Sequence, residues 1–181
     1  MRKLFMLVLM LLAGCTTFDN TADPSRLNLE TRPANSAVVV ISTGALAPCV
    51  SSASALWIVQ LDGGNESNVT NLNIDWSGIK SDFADHQGSI NAIYLPAGNY
   101  RMIPKALNPM ASPIKVPEAT FSLAAGEAIY LGEYYMPVSC SLSNRVIFRD
   151  KRERDLALAI GKNPNLSAMN FVTRIPEFTK P

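Results

Sequence analysis

The chain has little of what most enzymes and metalloproteins are built from. It holds one histidine, His86, and three cysteines in 181 residues. That is too few to ligate a structural zinc ion once the cysteines are otherwise committed. Nucleophilic catalysis needs a base beside its nucleophile, and no Gly-x-Ser-x-Gly elbow is present. Charge of one sign is also missing: 16 basic residues stand against 15 acidic ones. No basic stripe interleaved with aromatics appears, so nucleic acid is not an expected partner. The unbroken apolar run at residues 5–12, even with Leu4 and Ala13 beside it, falls well short of the ~20 residues that cross a bilayer. Internal repeats and low-complexity segments are absent as well.

What is present begins at the first residues. Arg2 and Lys3 precede the apolar run 5–12, and two small residues, Ala13 and Gly14, precede Cys15. Charge, short apolar core and small-residue exit form the layout of a secretory signal. Leu12-Ala13-Gly14-Cys15 resembles the lipobox of bacterial lipoproteins. The resemblance implies a diacylglyceryl group on the Cys15 sulfur, cleavage before it, and acylation of the new amino group. Each buried CH₂ of such chains contributes ~0.8 kcal/mol, and stable anchoring takes more than one chain. In Gram-negative members an aspartate after the cysteine retains the protein in the inner membrane. Thr16 stands there instead, which implies the outer membrane, facing the periplasm. The alternatives are an ordinary cleaved signal or an N-terminal core segment.

Removing residues 1–14 from the 181 leaves 167, enough for one compact domain and a tether. Two basic residues leave with the signal, so the mature chain is nearly neutral, with 14 basic and 15 acidic residues. With Cys15 consumed by lipid, Cys49 and Cys140 are the remaining pair in an oxidising compartment. A bond between them closes a loop of roughly 90 residues, worth ~4–5 kcal/mol in the chain-entropy model. The alternative is two thiols that never meet.

Residues 15–35 lack an apolar period and are rich in Thr, Asn, Asp and Pro, which predicts a solvated, flexible tether. From residue 36 to 181 the texture is that of a β domain. Strands are expected at 37–41, 55–61, 69–76, 90–95, 99–103, 119–123, 128–136 and 145–149. Turn residues separate them, with Asp62-Gly63-Gly64-Asn65 the strongest turn. The proline-bearing stretch 104–117 reads as an extended crossing, and 78–88 as a loop. A short helix is expected near 150–160, capped by Asp150 with Glu153 in a capping box and stopped by Gly161. Residues 169–175 read as a last strand or a packed tail. The expected class is mainly β, an antiparallel sandwich of seven or eight strands with one C-terminal helix.

At Leu95-Pro96-Ala97-Gly98-Asn99-Tyr100, and again at residues 121–132 around Gly126-Glu127-Ala128-Ile129-Tyr130-Leu131-Gly132, the chain resembles a group of bacterial lipoproteins with a transthyretin-like (prealbumin-like) sandwich. The likeness covers roughly residues 90–160, including the Asp150 to Asp155 run that opens the helix. It implies a strand-joining step at 95–100, a hairpin at 126–132, and a binding or accessory module with no catalytic residue and no cofactor. Gly98 and Gly126 suit tight turns. Tyr100 and Tyr130 suit buried rings with hydroxyls near water.

Candidate sites are weak. His86 with Asp82 and Asp85 could form a cation site or a base, against the plainer reading of a surface loop histidine. The 62–66 turn offers oxygens for calcium without the spacing of a calcium loop. Glu118, Glu127 and Glu133 could pair as carboxylates, and Glu127 and Glu133 differ in face only if a bulge intervenes. Tyr130, Tyr134 and Tyr135 form either core packing or an aromatic platform, with Tyr130 and Tyr134 on one face. Lys151, Arg152 and Arg154 form the solvated first turn of the helix, or else meet an acidic partner or a lipid headgroup. The expected function is therefore a membrane-anchored, non-enzymatic envelope lipoprotein serving another envelope component. A small-ligand or carbohydrate binder using exposed aromatics is the alternative, and an envelope hydrolase is a distant third.

Overall fold

A computed structural model describes residues 21–50, 53–62, 65–106, 117–140 and 146–178. The signal 1–14, Cys15, the first part of the tether, Gly63-Gly64 of the turn and most of the proline-bearing stretch lie outside the described residues.

Among the described residues ten strands form two sheets, β1 (Ser36–Ala45), β2 (Ser54–Asp62), β3 (Asn65–Asn73), β4 (Gln87–Pro96), β5 (Gly98–Ala106), β6 (Ala119–Leu123), β7 (Ala128–Met136), β8 (Ile147–Arg149), β9 (Val172–Thr173) and β10 (Glu177–Phe178). Among the described residues one α-helix, α1, spans Arg152–Lys162. The first sheet runs β4-β1-β7-β8, with β9 also on β7, and the second runs β10-β6-β5-β2-β3. The architecture is sandwich-like, but two expectations need correction. The described residues hold ten strands rather than seven or eight, and the first sheet is mixed because β1 and β7 run parallel, as do β7 and β9. Neither sheet is closed.

The β-branched run at Val38-Val39-Val40-Ile41 explains the layering. β1 is a central strand, and all ten of its residues are buried. Val39 and Ile41 enter the core between the sheets, with Leu56, Ile58, Leu72, Tyr100 and Met102. Val38 and Val40 face the other way, into a second core with Ile90, Tyr130, Ala159, Leu166 and Phe171 beneath α1. A strand covered on both faces reads as a continuous apolar run. The molecule is thus three layers deep: second sheet, first sheet, then α1 with the segments beside it.

The two resemblance motifs occupy equivalent places. Residues 95–100 carry the chain from β4 in the first sheet to β5 in the second. There the Tyr100 hydroxyl donates to the Pro96 carbonyl at 2.5 Å, a link like the tyrosine corner of other sandwiches. Residues 124–127 return it from β6 to β7, so this step is a crossing between sheets and not a hairpin. Gly126, at φ +87°, takes the left-handed conformation that the turn requires.

The expected flexible tether is corrected from residue 21 onward. Residues 21–35 form a strap packed on the domain through two 3-10 turns, Pro24–Arg26 and Leu29–Thr31, capped by Asp23 and Asn28. Ala22 and Pro24 are buried. The Ala92 amide donates to the Ala22 carbonyl at 2.8 Å, covering the open edge of β4. Asn163 donates to the Pro24 and Leu27 carbonyls, at 3.0 and 2.7 Å. Lys162 pairs with Asp23 at 2.9 Å and with Asp82 at 2.7 Å. Side-chain bonds and Asx caps, which leave no periodic trace, hold this segment.

Cys49 and Cys140 are bonded, with Cα atoms 5.2 Å apart. The bond joins the β1–β2 and β7–β8 connections at one end of the sandwich. Asp75, fully buried there, accepts from the Ser54 amide at 2.7 Å and the Cys140 amide at 3.1 Å. Burial pushes its carboxyl above the ordinary value, though these bonds oppose the shift.

Candidate functional site

The densest constellation of polar chemistry lies on the outer face of the first sheet, where the chain departs from regular strand geometry. Gly132, at φ +88°, is the extra residue of a bulge in β7, and the register against β1 shifts between Val40 and Ser42. Before the bulge Tyr130 points outward; after it Tyr134 points into the core and Glu133 outward. Tyr130 and Tyr134 therefore sit on opposite faces, which corrects the expectation that they share one.

Glu133 is fully buried beside four cationic or potentially cationic atoms. Arg149, its cross-strand partner on β8, places Nη2 at 2.6 Å and Nε at 2.7 Å from Oε2. His86 Nε2 stands 2.7 Å, and Arg154 Nη2 3.2 Å, from Oε1. Both approaches are close but fall outside good hydrogen-bond alignment. Burial alone would raise the Glu133 carboxyl, but His86, Arg154 and Arg149 together hold it below the ordinary value.

Arg154 links this pair to Asp155, also fully buried, at 2.7 and 2.8 Å. The other Asp155 oxygen accepts from Ser42 at 2.6 Å and Tyr130 at 2.7 Å. Tyr130 in turn accepts from the Lys151 amide at 3.0 Å. Burial, then the Asp155 charge, pushes the Tyr130 hydroxyl far above its ordinary range, so it stays a donor. Its hydroxyl is thus tied to α1, not held near water.

Aromatic rings complete the constellation. Arg149 lies 3.4 Å from the Tyr135 ring centroid and Arg154 4.2 Å from that of Phe83. His86 stacks on Phe83 at 4.5 Å, and its Nδ1 lies 2.6 Å from Asp85. Gly44 makes room for it, because a Cβ there would come within 2.8 Å of the imidazole. His86 is therefore no surface residue; its side chain is 3 % exposed. Both ring nitrogens face carboxylates.

The remaining candidates are placed as follows. Tyr130, Tyr134 and Tyr135 are 0, 1 and 8 % exposed. They are core residues, and the aromatic platform that the alternative reading required is filled. Arg152 binds Thr173 at 2.6 Å and the Phe171 carbonyl at 2.7 Å, and Arg154 is committed to the cluster. Lys151 is exposed. With Arg152 and Glu153 it lines a hollow of about 450 Å³ at the start of α1. Asp150 accepts from the Arg152 amide, but the N-cap position belongs to Lys151, which makes no side-chain cap bond. Gly161 lies inside the helix, and Asn163 follows its end.

Asp82 turns to Lys162 and to the Ile90 amide, away from Asp85. Glu118 and Glu66 meet Arg101, and Glu127 meets Arg174 at 3.0 Å, so Glu118, Glu127 and Glu133 each answer a different cation. Among the described residues no group of three His, Cys, Asp or Glu side chains is placed to hold a metal ion. Also among them, no helix is long and apolar enough to cross a membrane.

The sequence points to His86, Glu133 and Arg154 one by one and gives no sign that they meet. Nothing in the sequence marks Arg149 or Ser42, and Asp155 stands out only as the end of the 150–155 run that opens the helix. Chemically the arrangement is a charge-paired lock: on one face of the sheet, beside Arg149 of β8, it pins α1 and the 77–86 connection. No protein family, no curated protein and no solved structure matches this chain.

Proposed function

We propose that this chain is an envelope lipoprotein, lipidated at Cys15 and carried on the outer membrane facing the periplasm. Its transthyretin-like domain serves as a binding or accessory module for another envelope component rather than as an enzyme. The observation that carries the reading is the Cys49–Cys140 bond. Such bonds persist in oxidising compartments, where a secretory signal and a lipobox would deliver the chain. The transthyretin-like reading draws support from the two motifs, each at a crossing between the sheets. An accessory role draws support from the charged cluster, whose acids, cations and hydroxyls hold one another in place.

The test is fractionation and crosslinking in intact bacterial envelopes. The wild-type chain should sediment with membranes and crosslink reproducibly to one envelope protein, and Cys15→Ser should move it to the soluble fraction. A wild-type chain in the soluble fraction, or no reproducible partner, contradicts the proposal.

A further inference from the structure

We infer that the strap fixes the orientation of the domain, seating its β3–β4 edge against the lipid surface and turning the β8–β10 edge away. The inference rests on lipidation at Cys15, and on three observations independent of it.

The first is how little chain is left over. The strap is tied down from Ala22 onward by the Ala92 amide, Lys162 and Asn163. Six Cα–Cα steps separate Cys15 from Thr21, so the lipidated residue lies at most about 20 Å from the domain even when fully extended. A tether of twenty free residues would let the domain range far from the anchor; a reach of about 20 Å keeps it close.

The second is where the strap leaves the domain. Thr21 and Ala22 border a hollow of about 320 Å³ with Arg26, Thr70 and Ala92. Thr70 is on β3 and Ala92 on β4, edge strands of the two sheets that contact each other. The anchor therefore attaches at one edge of the sandwich, and the bilayer is the neighbour that edge must meet.

The third is what lies opposite. β8, β9 and β10 close the other side. Three strand spacings of about 4.8 Å put that side roughly 14 Å farther from the anchor. It exposes Ile147 and Val172. This is the side on which a periplasmic partner would find the domain.

Val69 on β3 and Val172 on β9 are both about half exposed, which makes them matched probe positions. A fluorescent residue is placed at one or the other in full-length lipidated protein, reconstituted in phospholipid vesicles carrying a headgroup quencher. Quenching at Val69 should exceed that at Val172 severalfold. Inserting 20 Gly/Ser residues after Asn20, a random coil of about 25 Å r.m.s. length, should erase the difference. Equal quenching at the two sites in lipidated protein, or stronger quenching at Val172, overturns the inference while leaving the anchor intact. The mass of the purified chain reports the lipid separately; its absence overturns the lipoprotein reading and the orientation with it.

Discussion

Ser42 donates its hydroxyl hydrogen to Asp155 at 2.6 Å, across 113 residues of sequence. This contact ties the central strand of the first sheet to the first turn of α1. Asp155 also holds Tyr130 and Arg154, so one buried carboxylate fixes the third layer to the second.

Replacing that carboxylate should therefore cost more than replacing any one of its donors. Asp155→Ala leaves two hydroxyls without this acceptor and Arg154 with Glu133 as its remaining acid, and should destabilise the domain by about 3–5 kcal/mol. Tyr130→Phe removes one hydroxyl and should cost about 1–2 kcal/mol. Urea unfolding of both variants checks the order; equal, negligible effects would contradict the account of the lock.

The cluster should also set the response to acid. The Glu133 carboxyl is held below its ordinary value in the folded state, so the folded state binds fewer protons there than the unfolded chain. Its contribution is present above the ordinary carboxylate range and is lost as pH falls through the folded-state value. Asp75, raised by burial, works in the opposite sense, so variants must be compared. Between pH ~7 and ~3, wild type should lose stability more steeply than Glu133→Gln. Parallel curves would show that Glu133 carries no such linkage.

Gly44 should be intolerant of even a methyl group. A Cβ there meets His86 at 2.8 Å and 2.9 Å, so Gly44→Ala must displace the imidazole from between Asp85 and Glu133. Overpacking of this kind costs about 1–3 kcal/mol. With a single histidine in the chain, its imidazole NMR signals report the displacement directly. Unchanged signals would mean the ring has room.

The Cys49–Cys140 bond closes a loop of 91 residues in separation, and loss of both sulfurs through Cys49→Ala and Cys140→Ala should cost about 4–5 kcal/mol in the chain-entropy model. Comparison of urea midpoints for the wild type and the double variant measures it. A difference well under 1 kcal/mol would mean that the contacts around Asp75 hold that end unaided.

Much of this fold was legible because burial writes itself into spacing. The β6 and β7 ranges read from pattern coincide with those observed, and the β-branched run at 37–41 marks a buried strand, which the structure covers on both faces. Pairing direction was not legible: nothing in the apolar run of β1 distinguishes a parallel neighbour such as β7 from an antiparallel one. β9 and β10 are two residues each, too short to show a period. The strap escaped notice because Asp23 and Asn28 hold it through local caps, and Lys162 and Asn163 through distant ones. The cluster escaped because Gly132 shifts the alternation by one residue, moving Glu133 to the face where His86 and Arg154 arrive from other elements.

The account stands or falls on Cys15. The most direct measurement is the mass of the N-terminal peptide of the chain purified from bacterial membranes. The account predicts a peptide beginning at Cys15 and carrying a diacylglyceryl group and an amide-linked acyl chain. A peptide that retains residues 1–14, or that begins at an unmodified Cys15, would contradict it.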